Sequence, residues 1–208
     1  MEHYIRTRNN SVTSTLKPGY RNDVILKSGH SFGLDSNLQD NDNAPESEKK
    51  EETRRSHRTF LLRWNPAISS FKLEYYRNAL LKYGTSFCMD WSVWDYENAR
   101  EGDEFYMLRE GDGVNPGLLF RGYFVSDPYT DDDWRGSGRR IYYVYIDCFD
   151  CVDPDGPPMI PTETLDKLYP EINWHIGHSG EVLPDNVADA LSQLWDETAS
   201  ARWPEEDD

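Results

Sequence analysis

Residues 1–57 cannot build a core, and that decides where any fold in this chain has to lie. The segment has few aliphatic residues, no sustained periodicity, and the polar run DSNLQDNDNAPESEKKEETRRS. Such a composition buries too little apolar surface to offset the entropy of ordering its backbone. It reads as a poorly ordered N-terminal segment, serving as a linker or as an arm for a partner. The character changes at Arg58. Hydrophobic residues are only 37% of the 208, yet aromatic residues reach 13%, with seven Trp and 13 Tyr. That pairing describes a compact aromatic core attached to a polar segment.

Charge follows the same division. Residues 1–57 hold equal numbers of basic and acidic side chains, so the net charge of −16 falls entirely on residues 58–208. A domain of that sign repels a phosphate backbone on average and disfavours nonspecific duplex binding. A nucleic-acid role therefore needs a local basic rim or a base pocket. No apolar run is long enough for a membrane span, and MEHYIRTRNN lacks the apolar stretch of a signal peptide. A cytoplasmic protein without membrane contact is expected. Three cysteines, an odd number, argue against a disulfide framework.

Patterning beyond Arg58 predicts a small α+β domain. RTFLLRWNP reads as a buried strand that Asn65-Pro66 ends, since proline cannot continue a ladder. SSFKLEYYRNALLKYG has Phe71, Tyr75 and Leu81 near helical spacing, with Gly84 as its stop. Glu104 to Arg109, GLLFRGYFVSDPY and IYYVYIDCFDCV read as strands, and DDDWRGSGRR as a polar loop between the last two. PTETLDKLYPEI suggests a short helix capped by Thr162. LPDNVADALSQLWDE suggests an amphipathic helix with Val187, Leu191, Leu194 and Trp195 on one stripe. Four or five strands with three short helices make a curled sheet or partial barrel. Residues 198–208 are left as an acidic C-terminal tail.

Three chemistries compete for the histidine-rich loop INWHIGHSGEVLP. Cys148, Cys151, His175 and His178 sum to four zinc ligands. Against zinc, the cysteines lie in an apolar run, and side chains three apart on an extended strand point to opposite faces. Catalysis lacks a carrier, because no GxSxG, P-loop, HExxH or GxGxxG occurs. Most carboxylates stand in charge runs such as Asp131-Asp132-Asp133, which read as solvated surface. The third option is a flat pocket, since Trp64, Trp91, Trp94 and Trp174 all fall at strand or loop ends. Flat rings with a few polar groups can sandwich a nucleobase, and Gly177 and Gly180 would let backbone approach it. The plainer reading makes the same tryptophans core.

The stretches FLLRWNP, WSVW, GDEFYMLREG, GLLFRGYFVSDPY, YYVYIDCFDCVDP and WHIGHSGEVLPDNVADALSQLW are similar, in order and spacing, to an EVE/PUA-like domain. The version they most resemble is the N-terminal domain of bacterial HNH restriction-type endonucleases, over residues 58–197. The resemblance implies a PUA-like, EVE-type curled mixed sheet or partial β-barrel with short flanking helices. It also implies a pocket for a flipped, often modified, base. Carried onto this chain, it puts Trp64 and Asn65 at one rim, Trp91 and Ser92 on a wall, and Trp174, His178, Ser179 and Gly180 in the opposing loop. Arg109 becomes a phosphate contact or a strand-end solubiliser, and Arg139 with Arg140 the local basic patch. Where those relatives carry Gln and Ser, this chain has Gly177 and His178. No HNH pattern is found after residue 197, so cleavage would fall to a separate effector nuclease.

The sequence thus predicts a non-catalytic nucleic-acid-binding module that reads a flipped or modified base, in a bacterial defence or restriction setting. It requires no cofactor and no metal. The alternative is an acidic protein-interaction or adaptor domain on the same fold.

Overall fold

The computed structural model describes residues 56–84, 87–111 and 113–203. The expected N-terminal segment therefore lies almost wholly outside the described residues, as does the end of the acidic tail. Within them the architecture is α+β, a curled mixed sheet flanked by three α-helices. Its strands are β1 (Thr59–Trp64), β2 (Phe87–Ser92), β3 (Glu104–Arg109), β4 (Gly117–Phe124), β5 (Tyr129–Asp132), β6 (Arg140–Cys151), β7 (Ile160–Pro161) and β8 (Glu181–Val182). The main path runs β2-β6-β4-β3-β1-β8, with β5 on β6 and β7 on β4.

The order follows from which strands are apolar on both faces. TFLLRW and EFYMLR lack alternation and are buried almost throughout, so they take the interior as the parallel pair β1–β3. The other ladders are antiparallel. β2 was not legible as a strand. FCMDWS alternates only loosely, and its core face of Phe87, Met89 and Trp91 is completed by β6 opposite. The expected polar loop is partly strand, because Tyr129–Asp132 pairs with Arg140–Tyr143 to make a hairpin of β5 and β6.

Hydrogen bonds bring the two edges of the curled sheet together. The chain leaving β2 donates from Trp94 N to Ser179 O (2.9 Å) and from Asp95 N to Gly180 O (3.0 Å). Gly180 N in turn donates to Leu61 O of β1 (2.9 Å), and Val182 N to Asp95 Oδ2 (2.9 Å). Gly180 is required here, with φ +83° and an added Cβ only 2.6 Å from Val93 Cα. The two edges of the curled sheet are thereby tied along this seam.

Helix α1 (Leu73–Tyr83) stops at Gly84 as expected, at φ 68°, but its buried face is one residue off the expected stripe. Tyr76 is buried and donates its hydroxyl to Val152 O (2.6 Å), whereas Tyr75 and Leu81 are exposed. Helix α2 (Thr162–Leu168) begins after Pro161, so Thr162 is its first residue, buried, with no capping bond from its side chain. Helix α3 (Asp185–Arg202) buries Val187, Leu191 and Trp195 as expected and runs past residue 197. No helix among the described residues is long and apolar enough to cross a membrane.

Candidate functional site

Three expected site residues are structural. Trp64 is fully buried, donates Nε1 to Phe71 O (2.7 Å), and packs edge-on to Tyr76. It offers no rim, because both faces of β1 are covered. Trp174 is buried as well, with Nε1 donating to Tyr169 O (3.0 Å), so it anchors its loop from beneath. Arg109 is 1% exposed and donates Nη1 to Pro154 O (2.8 Å), which removes it from any phosphate.

The remaining residues divide between the seam and a turn. Trp91 lies on the core side of β2 and donates Nε1 to Ser179 Oγ (2.8 Å), which also accepts from Arg63 N (3.0 Å). Trp91 and Ser179, expected on opposing walls of a pocket, are instead hydrogen-bonded to each other along the seam. Ser92 lies on the opposite face of β2, its register partner being Tyr143. His178 is exposed and stacks on Trp94 with ring centroids 3.8 Å apart and planes 9° from parallel. A residue missed in the sequence holds this loop. The Arg63 guanidinium is buried, pairs with Glu110 (2.8 Å), and donates to Asn173 O (2.5 Å) and Trp174 O (3.3 Å).

The four zinc candidates are not gathered. Cys148 and Cys151 both face inward because the β4–β6 register shifts between Arg121 and Gly122, leaving Phe149 unpaired in a β-bulge. Burial pushes both thiols well above their ordinary range. His175 instead meets Asp166 (2.9 Å), and His178 meets Trp94. Among the described residues, no group of three or more His, Cys, Asp or Glu is placed to hold a metal.

An open depression of about 470 Å³ lies between the turn after β1 and the β5–β6 hairpin. Ile68, Ser69, Ser70, Lys72, Trp134 and Arg135 line it. Asn65 builds the first wall: its carbonyl accepts from Ile68 N (3.2 Å) and Ser69 N (2.8 Å), and its Oδ1 accepts from Ala67 N (3.0 Å). Asn65, expected beside Trp64 at the rim of a base pocket, here braces the turn that follows β1. The second wall is held by Tyr143, whose hydroxyl accepts from Trp134 N (3.0 Å) and donates to Asp132 O (2.9 Å).

Asp133 fixes the hairpin tip, accepting Ser137 Oγ (2.6 Å) and Arg135 N (3.0 Å), and these bonds hold its carboxyl below the usual carboxylate range. Arg135 places its guanidinium 4.8 Å over the Trp134 ring. Arg139 and Arg140 are exposed on the same hairpin, Arg140 donating to Thr130 O (2.5 Å). Trp134, Lys72 and Arg135 were not singled out in the sequence. The available signal was a tryptophan amid DDDWRGSGRR, where an aromatic ring has no local reason to be.

No protein-family model matches this chain, and neither does any curated protein. Among solved structures, the YTH domain of the Zygosaccharomyces rouxii MRB1 protein, in complex with N6-methyladenosine RNA, is similar at 14% identity. The likeness has a TM-score of 0.39 and covers 67% of this chain and 87% of that one. A likeness that loose leaves function to be argued from the site.

Proposed function

We propose that the folded part of this chain is a PUA-like, non-catalytic module that receives an unpaired or modified base of a nucleic acid in the depression beside Trp134. The observation that carries this reading is the lining itself. Trp134, Ser69, Ser70, Lys72 and Arg135 line one open depression of about 470 Å³, where a single ring face, hydroxyls and cations are within reach of one nucleotide. The Trp134 ring supplies a π face for stacking, Ser69 and Ser70 supply donors and acceptors for a base edge, and Lys72 and Arg135 neutralise adjoining phosphates. The corner also departs from the chain's average charge. Lys72 and the hairpin run DDDWRGSGRR together hold four basic and three acidic side chains, against −16 for the whole. Any cleavage of the bound strand falls to a separate effector nuclease, in keeping with the restriction-type setting that the sequence resemblance implies.

The test is a tryptophan-fluorescence titration with single-stranded and duplex oligonucleotides carrying cytosine, 5-methylcytosine or 5-hydroxymethylcytosine. Base-dependent quenching is expected, and Trp134→Ala should weaken binding by about tenfold or more, since stacking contributes roughly 1–3 kcal/mol per base. Because Trp134 is only half-buried, the variant should keep its fold. Undiminished binding by Trp134→Ala would sink the reading.

A further inference from the structure

The curled sheet has a second surface, on the outside of β2 and β6, that helix α3 leaves bare. Register puts three rows of side chains on this face. The first is Cys88, Asp147 and Tyr123. The second is Asp90, Tyr145 and Val125, the last placed by its N–H on Tyr145 O (2.8 Å). The third is Ser92, Tyr143 and Tyr129. Tyr129 stacks on Tyr145 at 5.1 Å, and Tyr123 on Phe149 at 4.9 Å. Tyr123 and Val125 are exposed, at 38% and 43%.

Carboxylates stand among these rings. Asp90 and Asp147 belong to the rows, and Asp131 shares the face, two residues from Tyr129 on β5. Asp90 Oδ1 is shielded from solvent and has no hydrogen-bond donor. Burial pushes that carboxyl up, opposed by the Tyr129 hydroxyl. None of the row residues is a cation. The nearest one shows how the face is used: at the boundary with α3, the Arg121 guanidinium lies 5.6 Å over Phe149 and 5.3 Å over Trp195. It also bonds Asp150 (3.1 Å) and Asp196 (2.7 Å). An arginine flanked by an aromatic ring and a carboxylate is the arrangement that the uncovered rows offer to an incoming side chain.

We infer that this outer face docks an arginine-bearing segment of a partner protein, its guanidinium groups stacking on Tyr123 and Tyr145 while Asp147 and Asp131 take their charge. The inference is independent of the base site. Charge selects the occupant: a phosphate backbone or a second copy of a chain at −16 would bring more negative charge to a face that already carries three carboxylates. Arginine is favoured over lysine because its planar, weakly hydrated head stacks on rings.

The full chain is titrated calorimetrically with an Arg-Gly repeat peptide and with a Lys-Gly peptide of equal charge, for the wild type, Tyr123→Ser and Asp147→Asn. Both substitutions are at the surface, and thermal unfolding confirms that the variants stay folded. The expected result is binding of the Arg peptide about fivefold tighter than the Lys peptide, the ratio that a cation–π preference of about 1 kcal/mol produces. Each variant should lose several-fold affinity while oligonucleotide binding stays unchanged. Four results would overturn the inference. One is no binding. Another is equal binding of both peptides by all three proteins, which would assign it to diffuse negative charge. A third is peptide binding that Trp134→Ala abolishes, which would put the peptide in the base site. The last is a wild-type dimer that Tyr123→Ser dissociates, which would give the face to a second copy.

Discussion

Asp150 is the buried acid on which β4, β6 and α3 converge. It is 2% exposed and accepts from Trp195 Nε1 (2.7 Å) and Arg121 Nε (3.1 Å). Burial, with Asp196 adding to it, still pushes its carboxyl up to about 6. A carboxyl raised by folding holds its proton more tightly in the native state, so its contribution is fully present in acid and is lost as pH rises through about 6. Asp150→Asn should therefore gain stability relative to wild type between pH about 4.5 and 7, by at most about 3 kcal/mol. Urea midpoints of both proteins at the two pH values check this, and a difference that does not change with pH would refute it. Single residues were also where the sequence was hardest to read. Trp64 ends its strand in a way that suits a rim, and only the helix and strands packed on both faces of β1 make it core. Trp134 stands in a run with no periodicity, and its partners, Ile68 to Lys72, are more than 60 residues away. Nothing local announces that meeting.

Elements were more legible, and their failures share a cause. β1, β3, β4, β6 and the three helices each carry enough internal pattern or punctuation to be seen alone. β2, β5, β7 and β8 are short or polar and exist because a neighbouring strand pairs with them. Cys148 and Cys151 are buried as their apolar run suggests, but they share a face because strict alternation fails at the Phe149 bulge, which only the β4 register reveals. The β8 loop depends most on one position. Gly180→Ala meets both a disfavoured φ and the Val93 backbone, at a cost of about 1–3 kcal/mol or more. A thermal unfolding comparison should show Gly180→Ala strongly destabilised, with Gly136→Ala, whose Cβ would meet nothing within 4 Å, affected less.

At the scale of the whole molecule, a net charge of −16 disfavours phosphate contact over most of the surface. If only the Lys72–Arg135 depression and the Arg139–Arg140 tip contact phosphates, binding should depend weakly on salt. A single-strand slope near −0.7 per phosphate predicts that Arg139→Ala with Arg140→Ala lowers the slope by about 1.4. A titration series across ionic strength measures it, and an unchanged slope would show that the tip is not used. The seam between Asp95 and Gly180 has a different consequence. It is two backbone bonds long, joins residues more than 80 positions apart, and lies between the six-pair β2–β6 ladder and the two-pair β1–β8 ladder. The loop-closure entropy of the curled sheet is therefore spent at one of its thinnest joints, so this joint should form late in folding and open early in the native state. Amide hydrogen exchange would see that opening as early loss of Trp94 and Asp95 N–H, well before the β1–β3 ladder. Each opening would also part the Trp94–His178 stack, letting the two edges of the curled sheet separate without unfolding it.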